Sequence, residues 1–175
     1  MMAVWSADVD AVAAGAPDAP LVRSWLLESG SITARLRQEW PTVQVRVVRA
    51  EAGLPRASDD WPLDMHGDAD CWVREVQLHA QGRVLVSART VVPDWAPSHP
   101  WQSVATLGDR PLADLLFGQA GLVRSAPAFA LLRRDAGPVP ARCCRYTRQG
   151  AALWLTEAFD WLAHAPAQAA VNGPT

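Results

Sequence analysis

The chain has 175 residues, enough for one domain with a single core, and with half its residues hydrophobic and 19% charged it falls among ordinary globular proteins, not disordered or fibrous ones. Its 16 basic and 18 acidic side chains give a formal net charge of -2, which lacks the basic field of a nucleic-acid binder. Three cysteines, Cys71, Cys143 and Cys144, stand in no Cys-x-x-Cys or histidine spacing and speak against a disulfide framework and a zinc site alike. The nine tryptophans are scattered, as packing residues are. No stretch reaches the roughly 18 apolar residues of a membrane span, and the opening residues lack the basic start and apolar run of a signal peptide. A cytoplasmic protein is expected.

Residues 1–20 and 166–175 are rich in Ala, Pro and Gly and are expected to be poorly ordered ends of a single domain. "DAPLVRSWLLESGSITARLRQEW" reads as two short helices broken at Ser29-Gly30, with Asp18 or Ala19 before the first, Pro20 in its opening turn and Ser31 capping the second. "TVQVRVVRAEAG" alternates like a strand, with Arg46 and Arg49 on a solvated face. "GLPRASDDWPLDMHGDAD" is an irregular loop whose acidic run and His66 read as turn chemistry before they read as a metal site. A hairpin follows over Trp72 to Pro93, turning at Gln81-Gly82. "HPWQSVATLGDRPLADLLFG" holds a short helix whose start is marked by Asp109 and Pro111. "LVRSAPAFALLRRDAG" is a strand interrupted at Pro127, and "ARCCRYTRQGAALWLTEAFDW" is a second hairpin turning at Gln149-Gly150. Antiparallel hairpins with helices grouped near the start and in the middle give an α+β fold. We expect one antiparallel sheet of about six strands with helices packed on one face.

Two charged residues stand on faces that alternation makes apolar. Arg74 shares parity with Trp72, Val76 and Leu78, and Glu157 with Leu153, Leu155 and Phe159. A tight turn at Gln81-Gly82 pairs Leu78 with Leu85, Val76 with Ser87 and Arg74 with Arg89. Two like charges directly across a ladder call for an anion between them, supplied either by a protein carboxylate or by a bound ligand that guanidinium forks grip in a bidentate way. In the second hairpin Arg142 lies opposite Glu157, which is either a cross-strand ion pair or a pocket carboxylate able to hydrogen-bond or exchange a proton with a ligand hydroxyl. Ile32 and Leu112 stand at helix openings, where free backbone N–H groups bind anions.

The segments "WLLESGSITARL", "WVREVQLHAQGRVLVSARTVVP", "LGDRPLADLLF", "RRDAG" and "LWLTEAF" resemble, in order and spacing, those of the chorismate pyruvate-lyase family, over about Leu21 to Phe159. The resemblance implies a chorismate lyase-like fold and a cofactor-independent enzyme that converts chorismate to 4-hydroxybenzoate and pyruvate, the first committed step of ubiquinone biosynthesis. It implies that Arg74 holds the substrate carboxylate, that Glu157 faces the ring hydroxyl, and that Ile32 and Leu112 contact the ligand through main-chain N–H groups. Arg89 is implied at the pocket mouth. Ile32 replaces the methionine associated with the family, and Ala88 stands where glycine is expected. The expected partners are chorismate and 4-hydroxybenzoate alone, with no nucleic acid, for a monomer subject to product inhibition. Effector domains of some bacterial transcription regulators look like the same fold, so a non-catalytic binder of aromatic acids is the alternative.

Overall fold

The computed structural model describes residues 3–53 and 70–163. The loop read around His66 and the tail at 166–175 lie outside the described residues, apart from the loop's ends at Gly53 and Asp70. Among the described residues, four α-helices, α1 (Val9–Ala13), α2 (Ala19–Leu26), α3 (Ile32–Glu39) and α4 (Ala113–Leu116), accompany seven strands. These are β1 (Gln44–Gly53), β2 (Cys71–Ala80), β3 (Arg83–Val92), β4 (Val123–Arg124), β5 (Ala128–Arg134), β6 (Gly137–Arg148) and β7 (Ala151–Ala158). All pairings are antiparallel in one sheet of order β1-β2-β3-β7-β6-β4, with β5 also on β6. The strand count is seven because Pro127 splits the segment before β6 into β4 and β5. Among the described residues no helix is long and apolar enough to cross a membrane.

The helix boundaries follow the caps. Asp18 accepts from the Leu21 N–H and Ser31 from the Ala34 N–H, which starts α2 and α3 where the polar residues stand. Residues 3–20 depart from the expectation of a loose start. Asp8 caps α1 by accepting from the Asp10 and Ala11 N–H groups, and Val9, Val12 and Ala13 are buried against α2 and β5. Their i, i+3, i+4 spacing is an apolar stripe that the Ala, Pro and Gly content masks. The helices cover one face of the sheet. Trp25, Leu26 and Leu36 pack there with Leu78, Leu85, Val86 and Phe129, and Trp25, Phe159, Trp161 and Trp40 stack edge on.

Both hairpins close on tight turns in which the two central residues have positive φ, Gln81 and Gly82 at 53° and 73°, Gln149 and Gly150 at 49° and 78°. The first does not keep the expected register. Leu78 pairs with Val86 while His79 pairs with Val84, so Leu85 is an extra residue on β3. A one-residue offset sends every later side chain of β3 to the other face. Arg74 therefore lies opposite Thr90, Val76 opposite Ala88, and Arg89 opposite Glu75. The expected Arg74–Arg89 pair is absent. Arg89 instead donates to Glu75 at 2.8–2.9 Å on the face away from the helices, a cross-strand ion pair of opposite charges. On the edge strand β1, Arg49 pairs with Glu51 at 2.6 Å and Arg46 is exposed.

The left-handed φ of Gly82 is accessible to a side-chain-bearing residue only at a cost. Gly82→Ala is expected to lower the unfolding free energy by about 1 kcal/mol, read as a shifted urea midpoint with an unchanged slope.

Candidate functional site

The β-bulge at Leu85 and the alternation of four strands place one row of polar side chains on the helix-covered face. Arg74, Thr90, Leu155 and Cys144 run across β2, β3, β7 and β6 as successive pairs, and Val76, Ala88, Glu157 and Arg142 form the next row. Above them lies a cavity partly open to solvent. Its roof is built from the start of α3 and the residues around α4. Ile32, Arg74, Leu112 and Glu157 all line it, and so do Ala88, Arg142 and Tyr146. Arg89 does not: it lies under the opposite face of the sheet and lines a separate groove.

Arg74 is 2% exposed. Its Nη2 donates to the carbonyls of Gly108 and Arg110 at 3.0 and 2.9 Å, in the turn that leads into α4. Nε has no partner among the described residues. Burial pulls its pKa down, with Asp109 acting in the opposite sense, yet a guanidinium stays charged in a protein. A buried cation with a donor left over, at the wall of a cavity, is arranged to receive an anion.

Glu157 and Arg142 form the ion pair across β6 and β7 that the register predicts, Arg142 Nε donating to Glu157 Oε2 at 2.7 Å. Both are buried, at 9% and 2% exposure. Arg142 Nη1 also donates to the carbonyls of Glu28 and Leu26, in the turn that precedes α3. The structure shows the cross-strand ion pair and also places Glu157 in the lining of the cavity. Only one carboxylate oxygen is committed to Arg142. Arg74 and Glu157 stand two strands apart and one row along, roughly 12 Å between backbones, and both line the one cavity.

Ile32 and Leu112 are buried at the openings of α3 and α4. Leu112 caps α4 with its backbone and is not the first helical residue. In α3, where Ser31 takes the Ala34 N–H, the Ile32 and Thr33 N–H groups are left without intrahelical acceptors. Among the described residues no three His, Cys, Asp or Glu side chains come together as a metal site. The residues that sequence reasoning left aside are Thr90, which faces Arg74 across the ladder, and Tyr146. The latter shares parity with Arg142 along β6, a signal present in "RCCRYTR".

A family model described as chorismate lyase matches residues 3–164. Among curated relatives, a probable chorismate pyruvate-lyase of Hydrogenovibrio crunogenus is 36% identical over 59% of this chain and 56% of its own length. The chorismate pyruvate-lyase of Sodalis glossinidius is 37% identical over 78% of this chain and 76% of its own. A probable chorismate pyruvate-lyase of Halorhodospira halophila is 39% identical over 75% and 68%. Among solved structures, the C-terminal domain of a histidine utilization repressor from Pseudomonas syringae is 10% identical with a TM-score of 0.44, over 76% of this chain and 98% of that domain.

Tyr146, the only tyrosine of the chain, has its pKa pushed up to about 12, chiefly by burial and against the pull of Arg124. The neutral phenol is the form the fold favours, so stability is full below the unfolded value near 10 and is lost as pH rises toward 12, by about 3 kcal/mol. Tyrosinate absorbance in the folded protein should therefore rise only above the ordinary phenol range, and urea midpoints should fall over the same interval.

Proposed function

The chain belongs to the chorismate lyase family, and from this we propose that it converts chorismate to 4-hydroxybenzoate and pyruvate, as the first committed step of ubiquinone biosynthesis. The observation that carries the reading is the convergence of Arg74 and Glu157 on one buried cavity from opposite ends. In the reaction the C3–O bond to the enolpyruvyl group and the C4–H bond break, the electrons of the latter complete the aromatic ring, and the enolpyruvyl group leaves as pyruvate after taking up a proton. Aromatisation makes this strongly downhill and calls for no cofactor. The work left to the protein is positioning and the placement of charge.

Arg74 holds the ring carboxylate, with the main-chain N–H groups around Ile32 and Leu112 assisting from the roof. Glu157, fixed through one oxygen by Arg142, presents the other to the C4 hydroxyl and so orients the carbon that loses its hydrogen. Ile32 brings a branched wall to the ring, and Ala88 sits in the same row as Glu157, under the ligand. We place the reaction in the cytoplasm, in a monomer whose partners are chorismate and its products and not nucleic acid.

Purified protein incubated with chorismate should yield 4-hydroxybenzoate and pyruvate without added metal. Binding of 4-hydroxybenzoate with no turnover of chorismate would make it a non-catalytic binder instead. Arg74→Ala is expected to raise KM by roughly 30-fold or more, the cost of unpairing a buried carboxylate, whereas Glu157→Ala should lower kcat; near-normal kinetics for both would remove them from the site. An aromatic acid held by the same groups as the substrate leaves slowly, so added 4-hydroxybenzoate should compete with chorismate in initial-rate assays.

A further inference from the structure

Tyr146 is 4% exposed and lines the cavity from β6. Its hydroxyl makes no hydrogen bond among the described residues and is not one of the fully buried polar atoms left without a partner, so it is open to the cavity. Of its polar neighbours, Arg142 is engaged elsewhere and Arg124 is engaged through both terminal nitrogens, with Nε left without a partner among the described residues. Arg124, whose guanidinium carbon lies 5.8 Å from the centre of the Tyr146 ring, donates to the Ser29 carbonyl at 3.0 Å and to Cys144 Sγ at 3.3 Å. Arg142 is committed to Glu157 and to two carbonyls. The hydroxyl thus stands as a donor at the cavity wall.

The charges of the lining say which group of a ligand lacks one. Arg74, Arg142 and Glu157 are the charged residues among those described around the cavity, and Arg142 is already matched by Glu157. That leaves Arg74 as the one cation for an anion. A ligand with two carboxylates needs neutral donors for its second. Thr90 lies directly across from Arg74 and serves the same end of the ligand. Tyr146 is three strands from Arg74 in the order β2-β3-β7-β6, roughly 14 Å across the sheet, and so addresses a different part.

We propose that the Tyr146 hydroxyl donates a hydrogen bond to the second carboxylate of the substrate, the one on the enolpyruvyl group, and so favours the dicarboxylate over aromatic acids with a single carboxylate. This rests on the activity proposed above. The high phenol pKa agrees with it, since the hydroxyl keeps its proton over the whole working range.

Tyr146→Phe removes the donor and keeps the ring. The expected result is a rise of roughly 10- to 100-fold in KM for chorismate, the loss of one hydrogen bond to a charged acceptor. The inhibition constant of 4-hydroxybenzoate, which carries no second carboxylate, should stay at its wild-type value and so also report an intact fold. An unchanged KM overturns the proposal, and so does an equal weakening of both ligands, which marks a structural role. Wild-type protein that forms no product overturns the activity instead. Calorimetric binding of the two ligands to wild type and Tyr146→Phe then reads Tyr146 separately, by the same difference.

Discussion

A guanidinium taken out of water must be surrounded by acceptors, and the arginines on the covered face of this sheet decide where the chain above them runs. Arg74 takes the carbonyls of Gly108 and Arg110, Arg142 those of Leu26 and Glu28, and Arg124 that of Ser29. Apart from that of Leu26, at the end of α2, these carbonyls belong to the two turns that lead into α4 and α3. The cations thus draw the openings of both helices over the sheet, and the space left beneath is the cavity. Breaking one such contact strands a buried charge and frees a segment of roof at once, so binding chemistry and fold share the same bonds.

Much of this was legible in the alternation of the strands. The parity of Arg74 and of Glu157 gives the face they occupy, the Gln149-Gly150 turn gives the Arg142–Glu157 pair, and Asp18 and Ser31 mark the helix starts where they occur. The first hairpin was not legible in the same way. Leu85 and Val86 are both apolar and both buried, so a strand with or without an extra residue there reads alike. Only the packing of both side chains under the helices selects the bulge. From that single residue follows the fate of Arg89, which leaves the face of Arg74 for an ion pair with Glu75.

Composition misled at the start of the chain, where Ala and Gly content outweighs the three apolar residues that make α1 a packed helix. At Tyr146 the difficulty was of another kind. An aromatic residue in an alternating strand is most simply a core residue, and nothing local distinguishes a ring that only packs from one whose hydroxyl lacks a partner. That distinction depends on Arg124 and Arg142 directing their terminal nitrogens to carbonyls far away in sequence, which is a property of the assembled fold.

The same charges bear on how the proposed reaction ends. The described lining carries two positive charges and one negative, a net of one positive. Chorismate brings two negative charges and overfills it, whereas 4-hydroxybenzoate brings one and leaves the cavity neutral. Pyruvate departs with the carboxylate that neutral donors hold, and what stays behind is the ion that Arg74 matches. Away from bulk water an uncompensated charge is costly and a matched one is stable. In the proposed reaction, electrostatics would therefore favour expulsion of the small acid and retention of the aromatic one.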